Sequence, residues 1–228
     1  MAREVGLSLV ADDAALRAGA RSEEVAAFGS LQLLEALVQD GVLPADELEQ
    51  SYRRLMAVRS AELPVAGRLC EIAREEQRSP GGYAAFLLTR PSTWLPLADG
   101  WRTYISVIKA LRDKKPQDAA GWCIAALGGL CLVTEPATVP AAASALVAAT
   151  LLELRDGAAL PLLLDKSEQV VRCFAPDTDL LEEVVQRLAM TVWRITPPEM
   201  VGSVVLPLLA GLENEAHVKA LRLFFTMP

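Results

Sequence analysis

The chain has 228 residues and a formal charge of −7, from 22 Lys and Arg against 29 Asp and Glu, with a pI near 4.9. That balance gives no general attraction for a phosphate backbone and argues against non-specific nucleic-acid binding. Hydrophobic residues make up 52% and aromatics only 5%, so the chain is too apolar to be disordered, long enough to bury a core without staples, and filled by Ala, Leu and Val, a composition that favours helices.

Val5 to Val10 is a β-branched and leucine run that predicts a short strand, followed by Ala11-Asp12-Asp13 and a helix over Ala14 to Ala20. Val25-Ala26-Ala27-Phe28, closed by Gly29-Ser30, predicts a second edge strand. From there the periodicity is helical. Leu33, Leu34, Leu37 and Val38 mark one amphipathic helix stopped by Gly41, and Leu48, Tyr52, Leu55 and Met56 mark the next after Pro44. Val65, Leu69, Ile72 and Ala73 make a further stripe. A break follows at Ser79-Pro80-Gly81-Gly82, then an irregular stretch from Arg90 to Trp94 and a stripe of Trp101, Tyr104, Ile105, Ile108 and Leu111. Ala119 to Val133 is an apolar run of 15 residues, short of the ~20 needed to span a bilayer, and is expected to be a fully buried core helix. An Ala-rich helix over Ala141 to Arg155 comes next. Asp179 then caps a helix with Leu180, Val184, Leu188 and Val192 on one ridge and Leu181, Val185, Ala189 and Trp193 beside it.

The fold class expected from this order is mainly α: a small N-terminal α/β segment over residues 1–63 and an all-α domain, with a helical-repeat character, over residues 64–228. Leu160-Pro161-Leu162-Leu163 recurs 46 residues later as Leu206-Pro207-Leu208-Leu209. Each copy is expected to lead through a polar turn to a second apolar helix, Val170 to Phe174 and Val218 to Phe225. The later copy resembles a HEAT repeat, whose helix pairs recur about every 40–47 residues.

The segment Leu7 to Leu55 resembles the C-terminal part of a PIN domain, the fold of metal-dependent ribonucleases that includes many bacterial toxins. The residues that carry the resemblance are the run Leu9 to Arg17, then Phe28-Gly29-Ser30-Leu31-Gln32-Leu33-Leu34, then Gly41-Val42-Leu43, then the helix ending at Arg54-Leu55. Ser30 stands where the family usually has Thr. The resemblance implies that the first strand delivers Asp13, or its neighbour Asp12, to a magnesium or manganese site. Such hard cations need oxygen ligands converging from several segments. The family's other acidic residues are expected to lie before Met1. Asp12 and Asp13 also have a simpler reading as an N-terminal cap complementing the helix dipole.

Other constellations point elsewhere than catalysis. Cys70, Cys123, Cys131 and Cys173 form no CxxC and meet a single histidine, His217, so a zinc site is not expected and buried cytosolic thiols are. His217 stands among Glu213, Glu215 and Lys219 and reads as an exposed surface residue. Gly81-Gly82 and Gly128-Gly129 fit neither GxGxxG nor a P-loop. Lys109, Arg112, Lys114 and Lys115, interrupted by Asp113, read as a solvated helix end, and Trp94 and Trp101 as packing anchors. No secretory leader is read at Met1 to Val5. The expected function is therefore a cytoplasmic PIN-like protein of bacterial type, with no identified catalytic residue and no cofactor of its own. It would act as a scaffold that binds a protein partner or a second copy, without RNA or a membrane. The alternative is the C-terminal portion of a metal-dependent ribonuclease, using Asp12, Asp13 and Mg²⁺ or Mn²⁺, with its remaining carboxylates upstream or on a partner chain.

Overall fold

The structure, a computed structural model, describes residues 7–11, 14–57, 79–111 and 115–226. The chain divides into two compact units, Met1–Pro64 and Val65–Pro228. It is mainly α, with one two-stranded sheet among the described residues.

In the first unit, β1 (Leu9–Val10), α1 (Ala14–Ser22) and β2 (Ala27–Phe28) form a parallel β-α-β unit, with Leu9 opposite Ala27 and Val10 opposite Phe28. The ladder runs through Leu9 N–H to the Ala26 carbonyl at 2.7 Å and Ala11 N–H to the Phe28 carbonyl at 3.0 Å. Two arginines of α1 reach back to it: Arg17 donates to the Ala11 carbonyl at 2.7 Å and Arg21 to the Ala27 carbonyl at 3.0 Å. These bonds satisfy carbonyls at strand ends that a two-stranded sheet leaves without ladder partners. The described strand is shorter than the expected run Val5 to Val10, whose first residues lie outside the described set. Then α2 (Ser30–Gln39) starts at Gly29, whose N–H donates to the Gln32 side chain at 2.9 Å. It ends as the sequence predicts, at Gly41 with φ +71°, a left-handed turn that glycine adopts without steric cost. α3 (Ala45–Ala57) packs on α2, and the Tyr52 hydroxyl donates to the Glu35 carboxylate between them.

The expected helix around Val65 to Ala73 lies outside the described residues. Beyond it the second unit contains α4 (Tyr83–Leu88), α5 (Leu97–Lys109), α6 (Pro116–Cys131), α7 (Val139–Leu154), α8 (Leu160–Val171), α9 (Leu180–Ile195), α10 (Val201–Leu209) and α11 (Asn214–Thr226). α4 is too short for its periodicity to register in the sequence. Its side chains Tyr83, Ala84, Ala85, Leu87 and Leu88 are all buried. The irregular stretch after it is a single 3₁₀ turn, Pro91–Trp94.

Apart from α8 and α10, which meet through the 3₁₀ turn before α8, each helix of this unit packs on the one two places further along the chain. α4 lies on α6 and α6 on α8, while α5 lies on α7, α7 on α9 and α9 on α11. Successive helices close hairpins between these two rows, α6 with α7, α7 with α8 and α10 with α11. The starts of α6, α8 and α10, at residues 116, 160 and 201, and of α5, α7 and α9, at 97, 139 and 180, are spaced by roughly 40–45 residues. Three of these helices open the same way, from a 3₁₀ turn running directly into a buried apolar residue: Pro136–Thr138 into Val139, Gly157–Ala159 into Leu160, and Pro198–Met200 into Val201.

That spacing is not the one carried by the Leu-Pro-Leu-Leu echo. Pro161 stands in the first turn of α8, where a missing N–H costs nothing, whereas Pro207 lies inside α10 near its C-terminal end. Val170 belongs to α8 itself rather than to a second helix. The two copies are therefore not structural equivalents; Leu160 corresponds in position to Val201.

The expected core helix is α6, where Ala119, Trp122, Cys123, Ala126, Leu127 and Leu130 are all at or below 1% exposure, but the run is not buried all round: Ile124 is half-buried and Leu132, just past the helix end, is 62% exposed. Its glycines have a packing role. A β-carbon on Gly129 would collide with the Leu88 carbonyl oxygen and lie 2.6 Å from Trp94 Nε1. Trp94 is fully buried there, its Nε1 donating to that same carbonyl at 2.9 Å. Trp94 also packs edge-on against Trp101 with centroids 6.2 Å apart, so both tryptophans serve as the anchors expected of them. Residues 136–154, which include α7, are long and apolar enough to cross a membrane by length and composition, but half of the stretch is buried within the chain.

Candidate interaction surface

The residues singled out for metal chemistry, Asp12 and Asp13, lie outside the described residues. Among the described residues no group of three or more His, Cys, Asp or Glu side chains is placed to hold a metal ion. The basic cluster is only partly described: Lys109 lies 3.9 Å from the Glu153 carboxylate, and residues 112–114 fall outside the set.

The second unit does hold reactive side chains in its interior. Tyr104 of α5 donates to Thr150 Oγ1 of α7 at 2.5 Å, and Thr150 in turn donates to the Leu146 carbonyl at 2.7 Å. Cys123 of α6 lies 3.8 Å from Ser167 Oγ of α8. All four side chains are at 0% exposure. Burial pushes the Cys123 thiol up to about 11 despite hydrogen bonds from Ser167, Tyr104 and Thr150, and burial also raises the Tyr104 phenol. Groups held neutral and sealed from solvent cannot meet a substrate. This cluster joins four helices and is structural. Cys131 is buried as expected, with a thiol raised to about 11 by burial and then by neighbouring Cys173, but Cys173 itself is exposed. It sits in the turn beyond α8.

His217 also departs from its expected place on the open surface. It is half-buried, with Nδ1 2.9 Å from the Leu209 carbonyl oxygen. The imidazole thus closes the last turn of α10 against α11, accepting the role of a C-cap donor. Lys219 is likewise engaged, with Asp179 at the start of α9. Asp179 caps α9 by accepting from Glu182 N–H at 3.1 Å. Partial burial pushes its carboxyl up, but the Lys219 and Glu182 hydrogen bonds outweigh this and hold it below its ordinary value.

What remains outward-facing and distinctive lies at the C-terminal ends of α9 and α11. The inner ridge of α9 is as read from the sequence, with Leu180, Val184, Leu188 and Val192 all buried. Trp193, beside that ridge as expected, is 39% exposed, stacked on buried Phe224 at 6.1 Å and edge-on to Phe225 at 6.4 Å. Around it, Met190 is 63% and Phe225 51% exposed, with Val218 exposed one face-turn back on α11. On a 3.6-residue helix, Val218, Arg222 and Phe225 share one face, opposite the buried Ala220 and Phe224. That doubled apolar face was the signal available in the sequence, and treating Val218 to Phe225 as one apolar run concealed it.

No family model, curated protein or solved structure matches the chain. The PIN-like and HEAT-like resemblances accordingly rest on the residues that carry them.

Proposed function

We propose that this protein is a cytoplasmic helical scaffold that binds another polypeptide through the outer surface of α9 and α11. The observation that carries this reading is the contact between Trp193 and Phe225, with Met190 beside them. Single exposed apolar residues are ordinary on protein surfaces, but adjoining aromatic and thioether side chains form the kind of patch that marks interaction sites. The helices beneath are held by a fully buried ridge, so the patch is presented by a rigid element and loses little conformational entropy on binding. The spacing of helix starts supports a helical-repeat scaffold, an architecture whose extended surfaces serve binding. In this reading the N-terminal unit is a PIN-like segment without nuclease chemistry of its own.

The test is a photo-crosslinking amino acid placed at Trp193 or at Phe225 of the full chain in its native cell, with Arg102 on α5 as the control position. A discrete covalent polypeptide adduct from the first two positions and none from the third is expected. Absence of any adduct from both would overturn the reading.

A further inference from the structure

The apolar patch is flanked by arginines. Arg187, Met190 and Arg194 follow one another at three- and four-residue intervals along α9, and Arg222 lies between Val218 and Phe225 on α11. Arg194 and Arg222 are exposed, and neither makes an ion pair among the described residues. The nearby cation Lys219 is engaged by Asp179. Of the acidic groups on these elements, Glu182 and Glu183 stand in the first turn of α9 and Glu215 in the first turn of α11, away from the aromatic end. Glu199 lies in the turn beyond α9. An apolar centre with an arginine rim is thus set on a chain whose formal charge is −7.

Part of the arginine placement has a local cause, since a cation in the last turn of a helix complements its dipole. That accounts for Arg194. It does not account for Arg222, a full turn before the end of α11, or for Arg187 in the middle of α9.

Resting on the scaffold reading, we infer that the partner segment is an acidic amphipathic helix, whose apolar face covers Met190, Trp193 and Phe225 while its flanking carboxylates meet Arg194 and Arg222. An amphipathic helix matches a shallow apolar strip between two helices, burying side chains at i, i+3 or i+4 and i+7. Guanidinium groups receive carboxylates in a bidentate fork. Rim pairs of this kind set partner choice and association rate more than total affinity.

The experiment uses the full chain and two 18-residue helical peptides with identical Leu and Ile positions, one flanked by Glu and one by Lys, read by anisotropy and by the emission of Trp193. At low salt the Glu-flanked peptide is expected to bind about tenfold more tightly than the Lys-flanked one, with the gap narrowing as salt is added. The double variant Arg194→Glu, Arg222→Glu should reverse that order. Both substitutions are on exposed side chains, and an unchanged urea midpoint will show that the variant folds.

Equal binding of the two peptides, or none, would overturn the acidic-helix inference while leaving the crosslinking test of the scaffold reading to stand or fall separately. Binding to phosphatidylserine vesicles that is lost in the arginine variant, without peptide selection, would assign the patch to a lipid surface and overturn the inference. Concentration-dependent self-association abolished by Trp193→Ser would assign it to a second copy, with the same consequence.

Discussion

Gly157 and Gly211 close against one another where the turn before α8 meets the end of α10. A β-carbon on Gly157 would collide with the Pro207 carbonyl oxygen and lie 2.8 Å from that of Leu208; one on Gly211 would collide with the Gly157 carbonyl oxygen and lie 3.0 Å from Ala158 Cα. Backbone on both sides leaves no flexible side chain to move aside. Gly157→Ala and Gly211→Ala are each expected to lower stability by about 1–3 kcal/mol, the usual cost of overpacking, measured as a drop in the urea midpoint. Gly202→Ala, with nothing within 4 Å of the added atom, is the control and should be neutral or slightly stabilising.

The Tyr104–Thr150 pair is sealed from water, so its members are worth more together than apart. Thr150→Val leaves the Tyr104 hydroxyl without its acceptor at 2.5 Å and should cost about 1–3 kcal/mol. Tyr104→Phe removes only the donor. The double variant is expected to be less destabilised than the sum of the two, with a coupling of about 1 kcal/mol from denaturant melts. Strict additivity would contradict the pairing.

Alkaline pH should unfold the second unit through its thiols. Cys123 and Cys131 hold their protons up to about 11 in the folded chain against an ordinary 9.0, so the unfolded chain releases protons first. Stability is therefore complete below pH 9 and falls as pH rises from about 9 to about 11. The Cys123 share is on the order of 2–3 kcal/mol, and the raised Tyr104 phenol acts in the same direction. Urea midpoints between pH 8 and pH 11 would check this, with a shallower decline in Cys123→Ala. In the same preparation, with Cys70 replaced by Ser, a thiol reagent should label exposed Cys173 at once and the two buried thiols only on unfolding.

At the acidic end the relevant group is Asp179. Its carboxyl is held below 3.8, so its contribution is present above that pH and is lost as pH falls through the depressed value. Asp179→Ala should cost about 1 kcal/mol as a lost N-cap. Asp179→Asn should recover most of it, since the cap to Glu182 N–H survives and the exposed pair with Lys219 adds little.

The ribonuclease alternative has its own check. One or two carboxylates at a strand end attract a hydrated cation without fixing its geometry. Magnesium- or manganese-dependent RNA cleavage by this chain is therefore expected to be absent and unaffected by Asp12→Ala. Cleavage lost in Asp13→Ala would displace the scaffold reading.

What was legible in the sequence alone depends on neighbours along the chain. The cap at Asp179, the ridge from Leu180 to Val192, the stop at Gly41 and the buried run within α6 all follow from spacing and turn chemistry over a few residues, and the structure has them in place. Which residues face solvent once helices stack was decided by the tertiary structure. Trp193 has the periodicity of a core residue, yet the helix on which it leans, α11, covers only one of its sides. The Leu-Pro-Leu-Leu echo misled for the same reason: four identical residues open one helix and close another, because a proline's place is set by where neighbouring helices end. Gly129 is required by the approach of Leu88 and Trp94, distant in sequence and in contact only because α4 and the 3₁₀ turn after it lie on α6.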